Sequence, residues 1–80
     1  MIKKHNKAFG NVLRRLRQEK KMSQECLGFE AELTRAFISL LERGLRSPTL
    51  DTLMALCEPL GVSLTVLATL IEAELMHDHE

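Results

Sequence analysis

Apolar residues recur along the chain at helical spacing, in five segments separated by short polar stretches. In the first segment, residues 8–20, apolar side chains share one face and polar or basic side chains share the other, which predicts an amphipathic helix. Its apolar face consists of Phe9, Val12, Leu13 and Leu16. Asn6 is a candidate cap for this helix. Residues 1–7 lack periodicity and predict a basic arm, either solvated or in contact with phosphate.

The second and third segments share the stretch SQECLGFEAELTRAFISLLE, residues 23–42. Ser23 and Thr34 are favourable N-caps, because a hydroxyl accepts hydrogen bonds from the free N–H groups of a first helical turn. Each precedes apolar side chains at helical spacing, namely Cys26, Leu27 and Ala31, then Phe37, Ile38 and Leu41. The stretch therefore predicts two short helices with a corner near Glu32 and Leu33. Two such helices, the second with an outward polar and basic face, form the helix-turn-helix pattern.

A fourth helix is predicted over residues 50–60, with Thr49 as its N-cap and Pro59 in its last turn. Between the third and fourth helices, Gly44 predicts a left-handed stop. The inward stripe of the fourth helix is predicted at Leu50, Leu53, Met54 and Cys57.

The fifth helix, predicted from residue 64 to about 76, carries more apolar residues than packing against a single surface would bury. One side carries Leu64, Leu67, Ala68, Ile71 and Leu75, and Val66, Leu70 and Ala73 widen the apolar arc. A surface helix needs a stripe of only about 100°. The excess predicts a dimerisation helix over residues 63–77, with deeper burial in its own core as the alternative. The candidate interface residues are Val66, Leu70, Ile71 and Leu75.

The five predicted helices indicate an all-α fold, and the length of 80 residues allows one domain, spanning residues 1–80. The chain is 45% apolar and 28% charged, which is typical of a soluble globular protein. No apolar run approaches about 18 residues and no signal peptide is recognisable, so no membrane association and a cytoplasmic location are expected. Residues 77–80 are expected to be a solvated tail rather than a metal site.

Charge is distributed very unevenly. The net charge of zero alone argues against a nucleic-acid partner. However, all eleven Lys and Arg residues lie within residues 1–46, which carry +6, whereas residues 47–80 carry −6. The first part is therefore predicted to bind a polyanion, although a chance imbalance gives the same numbers.

Neither the two cysteines nor the other reactive residues form a pattern typical of a catalytic site. Cys26 and Cys57 lie within apolar runs and are expected to be buried, reduced thiols, with a disulfide or redox switch as the alternative. Their separation does not match a metal site, and no catalytic nucleophile or phosphate-binding glycine loop is recognisable. No enzyme activity, cofactor or metal is expected.

Several short motifs recur in the order and at the spacing of a known family. They are Leu16-Arg17, Met22-Ser23-Gln24, Leu27-Gly28, Ile38-Ser39, Glu42-Arg43-Gly44, Ser47-Pro48-Thr49-Leu50 and Leu60-Gly61-Val62. In this set the chain resembles the Cro and lambda-repressor-like, XRE-type helix-turn-helix family. Its size is similar to that of restriction–modification controller proteins and small phage repressors.

The resemblance implies a five-helix lambda-repressor-like domain that regulates transcription. It would act as a homodimer on an inverted-repeat operator in double-stranded DNA. The alternative is an antitoxin or protein-interaction module of the same fold, and RNA polymerase or a toxin-like protein are further candidate partners.

The resemblance also assigns roles to individual positions. The groove-facing positions, expected to contact bases, are Arg35, Ala36, Ser39 and Leu40. The expected phosphate contacts are Ser23, Gln24, Thr34, Arg43 and Arg46. Arg17 and Glu42 are expected to form a structural ion pair. Gly28 and Glu32 depart from the usual Ala and from the usual Gly or Asn, which leaves the geometry of the corner open.

Overall fold

Five α-helices and no strand make up residues 1–77, the part of the chain that the structure, a computed structural model, describes. In chain order they are α1 (Lys4–Glu19), α2 (Gln24–Ala31), α3 (Arg35–Glu42), α4 (Leu50–Leu60) and α5 (Leu64–His77). The predicted all-α, five-helix architecture is confirmed. The expectation of a solvated tail concerns mainly residues 78–80, which lie outside the described residues.

The core forms around α1, which packs against both α3 and α5. α2 packs against α3 and α4, so the helix-turn-helix is held from two sides. The predicted apolar face of α1 is buried throughout. Of the apolar residues predicted on α2 and α3, four are buried, Phe37 is half-buried and Cys26 is exposed. The largest fully buried side chains are Leu13, Leu27, Ile38, Leu41, Leu56, Leu60, Leu67 and Val12. This arrangement fixes α3 from behind and leaves its other face open.

α1 begins earlier than predicted, at Lys4 rather than near residue 8. Asn6 is not its cap. Its side chain is buried, and its Nδ2 donates to Ser47 Oγ at 2.7 Å. That long-range hydrogen bond satisfies the buried amide. Residues 4–7 form the first turn of α1 and not a basic arm. Residues 1–3 lie before the first turn of the helix.

The corner between α2 and α3 is left-handed although no glycine stands at its centre. Glu32 has φ 60° and ψ 39°, and the next N–H, of Leu33, donates to Gly28 O at 2.8 Å. A Cβ on Gly28 would lie 2.6 Å from Leu33 O, so glycine is required for this approach. Glu32 therefore tolerates a conformation that costs a non-glycine residue about 1–2 kcal/mol.

α4 is rotated relative to the predicted stripe. Its buried residues are Thr52, Leu56, Cys57 and Leu60. Leu50 and Met54, predicted to face inward, are 62% and 52% exposed. Because Thr52, Leu56 and Leu60 are spaced by four residues, they place the polar Thr52 inside and turn Met54 outward. Thr52 is accommodated by a 3.0 Å hydrogen bond between its hydroxyl and that of Thr49.

The prediction of two buried thiols is right for Cys57 and wrong for Cys26, which is exposed. α2 buries only Leu27, Gly28 and Ala31. Cys26 lies one position away from that face, and its Sγ is 3.8 Å from Glu30 Oε2. Burial raises the pKa of the Cys57 thiol, since desolvation disfavours the thiolate.

α5 is only partly covered by the rest of the protein. Leu67 is its one buried residue, whereas Leu64, Leu70 and Ile71 are half-buried against the core. Ala68, which the sequence places on the same side as Leu67, is exposed, because the buried face is centred on Leu67. Much of the apolar arc therefore stays open, contrary to the alternative of deep burial. Among the described helices none could cross a membrane by itself; α4 and α5 reach that length and composition only together, with a 101° bend between them.

Candidate nucleic-acid interface

The starts of α2 and α3 are closed by side-chain caps. Ser23 Oγ accepts a hydrogen bond from the Cys26 N–H at 2.9 Å, and Thr34 Oγ1 accepts one from the Phe37 N–H at 3.0 Å. Each cap satisfies one of the N–H groups that a helix start leaves free. A hydroxyl that accepts in this way can still donate its proton, so both exposed caps remain able to bind a phosphate oxygen.

A shallow groove runs along the outer side of α3. It is lined by Gln24, Arg35, Ala36, Ser39, Leu40 and Arg43. The set contains all four residues expected to contact bases and two of those expected to contact phosphate. The intervening Ile38 and Leu41 are fully buried. α3 therefore divides into a face that is held by the core and a face that is free to meet a ligand.

The open face of α3 carries functional groups suited to reading base edges. Arg35 is exposed at the first position of the helix, where its guanidinium can form two parallel hydrogen bonds to guanine. Ala36 and Leu40 present apolar groups that match a thymine methyl. The major groove of B-DNA is about 12 Å wide and admits one α-helix. α3 therefore has a diameter that fits the DNA major groove, and its open face carries side chains suited to base edges.

A buried carboxylate closes the far end of α3. The Glu42 side chain is 1% exposed, and its Oε2 lies 2.6 Å from Arg17 Nε. Arg17 Nη2 also donates to Glu42 Oε1 at 3.1 Å, and Arg17 Nη1 donates to Met22 O at 2.8 Å. The hydrogen bond to Glu42 raises the pKa of the Arg17 guanidinium, although burial opposes the shift. This two-pronged pair ties α1 to the end of α3.

Gln24 joins the same carboxylate. Its Nε2 donates to Glu42 Oε1 at 3.0 Å, so the first residue of α2 is fixed to the last residue of α3. The amide still has a second N–H and a carbonyl oxygen for other partners. Gln24 therefore lies at the edge of the groove with its orientation already set.

The two arginines after α3 occupy different places. Arg43 lines the groove, and its Nε donates to Ser39 O at 3.4 Å. Arg46 instead lies in a second concavity between the chain start and the loop after α3, lined by Met1, Ile2, Lys3, Asn6, Gly44, Leu45, Arg46 and Ser47. Gly44, with φ 75°, forms the predicted left-handed stop between the two arginines. The structure thus groups Arg46 with the N-terminal residues and not with the groove.

Sequence reasoning did not single out Arg14. Its Nη2 donates to Glu42 O at 3.4 Å, and its Nε lies 3.6 Å from Glu42 Oε1. The contact depends on Gly10, one turn earlier on α1, where a Cβ would lie 2.6 Å from Glu42 O. The sequence signal for this contact was a glycine four residues before an arginine on the same helix. That spacing does not by itself identify the residue that the arginine contacts.

No group of three or more His, Cys, Asp or Glu residues within residues 1–77 is arranged to hold a metal ion. The hydrogen-bonding demands of the interior are also met: every buried side-chain nitrogen and oxygen in the described part has a partner.

Comparison with known proteins identifies similar chains. A helix-turn-helix family model matches residues 13–67. Control protein C.BamHI of Bacillus amyloliquefaciens is 46% identical over 55 residues, which cover 68% of each chain. Control protein C.MunI of a Mycoplasma species is 39% identical over 67 residues, which cover 82% of this chain and 90% of the relative.

Solved structures of a third controller protein, C.Esp1396I, have the same fold. A point mutant of that restriction–modification controller protein superimposes with a TM-score of 0.87 at 32% identity, covering 95% of this chain and 96% of the other. C.Esp1396I as a tetramer on its natural 35 base-pair operator superimposes with a TM-score of 0.82 at 30% identity, covering 90% and 95%.

Proposed function

The chain belongs to the helix-turn-helix family, as a DNA-binding regulator of the XRE and controller-protein type, and from this premise we propose that it acts as a homodimer on an inverted-repeat operator. The observation that carries the proposal is the groove along α3, where Arg35, Ala36, Ser39 and Leu40 share one open face. Its target is double-stranded DNA, since a helix of this size fits the major groove.

Binding divides between the DNA backbone and the bases. The capped helix starts at Ser23 and Thr34, together with Gln24, hold phosphates and set the register of α3. Arg43 and Arg46 add positive charge on either side of the left-handed stop after α3. Arg35 then reads guanine, while Ala36, Ser39 and Leu40 fit against the neighbouring base edges. Because Ala and Leu offer no side-chain hydrogen bonds, part of the specificity comes from DNA shape.

The homodimer forms through α5. The two flanks of its buried face are both partly open, one at Val66 and Leu70 and the other at Ile71 and Leu75. We favour the second flank, because Ile71 lines a shallow, mainly apolar cleft. Its lining consists of Phe9, Pro48, Leu53 and Ile71 together with His5, Asn6 and Ser47. A second copy would extend this cleft into a closed apolar interface, since twofold symmetry buries each residue twice.

The proposed operator follows from that symmetry. A twofold dimer presents two copies of α3, so the half-sites are inverted and about 34 Å apart. C.Esp1396I occupies its operator as a tetramer. We propose operator DNA as the target of this chain too, with the cytoplasm as its place of action. The matches to control proteins favour this regulatory function over an antitoxin and over catalysis.

Selection of bound sequences from random DNA duplexes tests the proposal. The full chain, with untagged ends, is expected to enrich one inverted repeat, and its binding constant is expected to fall steeply with salt. A matched selection from single-stranded DNA is expected to enrich nothing. Failure to enrich any duplex sequence, or enrichment of an unpaired half-site only, would contradict the homodimeric regulator.

A further inference from the structure

The positive charge of Arg14 is not neutralised by a carboxylate of the protein interior. The Glu42 carboxylate beside it bears one negative charge and is already met by the two-pronged contact with Arg17, at 2.6 and 3.1 Å. Arg14 approaches the same carboxylate only at 3.6 Å. One cation suffices to balance one carboxylate, so the cluster of Arg14, Arg17 and Glu42 carries a surplus charge of +1.

The surplus charge resides on Arg14, since the two arginines differ in exposure. The Arg17 side chain is 13% exposed, whereas that of Arg14 is 45% exposed. The third guanidinium nitrogen of Arg17, Nη1, donates a hydrogen bond to Met22 O at 2.8 Å. Arg14 is held at its inner edge by Glu42 and keeps its outer edge in solvent. It is thus anchored by the fold and open to a ligand at once.

Arg14 also lies at the border of the groove. The Nε2 of Gln24 and the Nε of Arg14 both approach a single atom, Glu42 Oε1, at 3.0 and 3.6 Å. Their polar ends are therefore neighbours. Gln24 lines the groove along α3, so Arg14 stands beside the groove on the side of α1.

From this geometry we propose that Arg14 binds a phosphate of the DNA backbone, next to Gln24, and that Glu42 positions it for that contact. The inference rests on the proposed function. A guanidinium suits a phosphate because its planar array of N–H donors matches two phosphate oxygens. A side chain held in place by Glu42 also loses less conformational freedom on binding than a free surface arginine does.

Arg15 provides a matched control on the same helix. Its side chain is 49% exposed, and its Nη1 lies 3.3 Å from Glu74 Oε1 on α5. It thus has the same charge, nearly the same exposure and a neighbouring position. It differs in pointing to α5 and away from the groove.

The test measures binding of the full chain to a duplex that carries its selected operator, across a range of salt concentrations. Parent, Arg14→Gln, Arg14→Lys and Arg15→Gln are compared. Each neutralised phosphate contributes about −0.9 to the slope of log K against log salt. Arg14→Gln is expected to make the slope shallower by about 0.9 per protomer. Arg14→Lys is expected to restore the parental slope, and Arg15→Gln to leave it unchanged.

The outcomes separate this inference from the proposed function. A parental slope in Arg14→Gln overturns the phosphate contact while the regulator stands. A parent that binds no duplex overturns both. A shallower slope in Arg15→Gln as well would show a general charge effect and would also overturn the assignment. Sequence selection with Arg14→Gln is expected to return the parental motif, since a backbone contact carries no base information; a changed motif would reject the phosphate role.

Circular dichroism shows whether a variant binds more weakly only because it is less stably folded. All four proteins are melted first, and binding is measured well below the lowest melting temperature. If Arg14→Gln fails to fold, Arg14→Met preserves the aliphatic stem and is taken through the same salt series, with the same expected change in slope.

Discussion

Arg17 on α1 and Glu42 at the end of α3 form a two-pronged ion pair, with Nε to Oε2 at 2.6 Å and Nη2 to Oε1 at 3.1 Å. The carboxylate is almost fully buried, so it cannot turn to water if its partner is removed. The pair therefore couples the stability of the fold to the position of the recognition helix, even before DNA is bound.

Removing one member of this pair is expected to destabilise the free protein. Arg17→Met leaves a buried carboxylate without its main partner, which costs roughly 3–5 kcal/mol. The double variant Arg17→Met, Glu42→Met is expected to regain much of that loss, because no buried charge is left without a partner. Urea unfolding of the four proteins of the cycle measures the coupling. Additive effects of the two changes would contradict it.

Arg35→Ala is expected to weaken operator binding by roughly 1–3 kcal/mol and to relax preference at one base pair per half-site. The reason is its exposed position at the start of the groove face. Arg35→Lys serves as the control, since it keeps the charge but loses the bidentate geometry. Sequence selection with each variant is the measurement. An unchanged sequence motif in Arg35→Ala would show that Arg35 reads no base.

Sedimentation across a wide concentration range is expected to show a dimer for the parent. Leu75→Glu, on the favoured flank of α5, is expected to give a folded monomer that binds DNA weakly, because a charge would be buried at the interface. Val66→Glu, on the opposite flank, is the matched control and is expected to remain dimeric. The reverse result would move the interface to the Val66 flank, and a parent that stays monomeric at high micromolar concentration would reject the dimer.

The two thiols are expected to react at very different rates. Cys26 is exposed and should be alkylated in the native protein, whereas Cys57 should react only after unfolding. Mass spectrometry after timed alkylation, with and without urea, distinguishes them. Rapid modification of both residues in the native state would contradict the burial of Cys57.

Burial of Cys57 also implies a pH dependence of stability. Its pKa is raised in the folded protein, so above the ordinary thiol pKa the unfolded chain releases a proton that the folded protein retains. Unfolding is then favoured as pH rises, and the stabilising contribution is lost as pH approaches the raised value. Chemical unfolding of the parent and of Cys57→Ala as a function of alkaline pH should show a shallower decline in the variant.

Glu32→Gly is expected to stabilise the fold by about 0.5–1 kcal/mol. Glycine relieves the left-handed strain at φ 60° but loses more backbone entropy on folding. Glu30→Gly, two residues earlier within α2, is the control and should destabilise by about 1 kcal/mol, because that position is helical. A loss of stability in Glu32→Gly would show that the Glu32 side chain makes a compensating contribution.

The order of helices and the caps at Ser23, Thr34 and Thr49 were predictable, because each depends on residues close in sequence. Features that depend on distant partners were not. Asn6 was predicted to be a helix cap, but its side chain donates a hydrogen bond to Ser47, which is distant in the sequence. The phase of α4 was set by packing around Leu56 and Leu60, which periodicity alone does not resolve among several apolar residues.

The candidate site shows the same division. The face of Arg35, Ala36, Ser39 and Leu40 follows from helical spacing within eight residues. Arg14 does not, since its place beside the groove depends on how closely α1 approaches the end of α3. Left-handed conformations at Lys21 and Glu32 were likewise not predictable from residue type, because neither Lys nor Glu favours that region.

The division of α3 into a buried and an open face has an evolutionary consequence. The side chains that hold the helix, Ile38 and Leu41, alternate with those that face the groove. Exchanges at the open positions therefore leave the interior untouched, and surface substitutions of this kind usually change stability by less than about 0.5 kcal/mol. Under the proposed function, a few replacements in α3 that leave the stability of the fold unchanged would exchange one operator for another, so two related copies would regulate different genes in one cell.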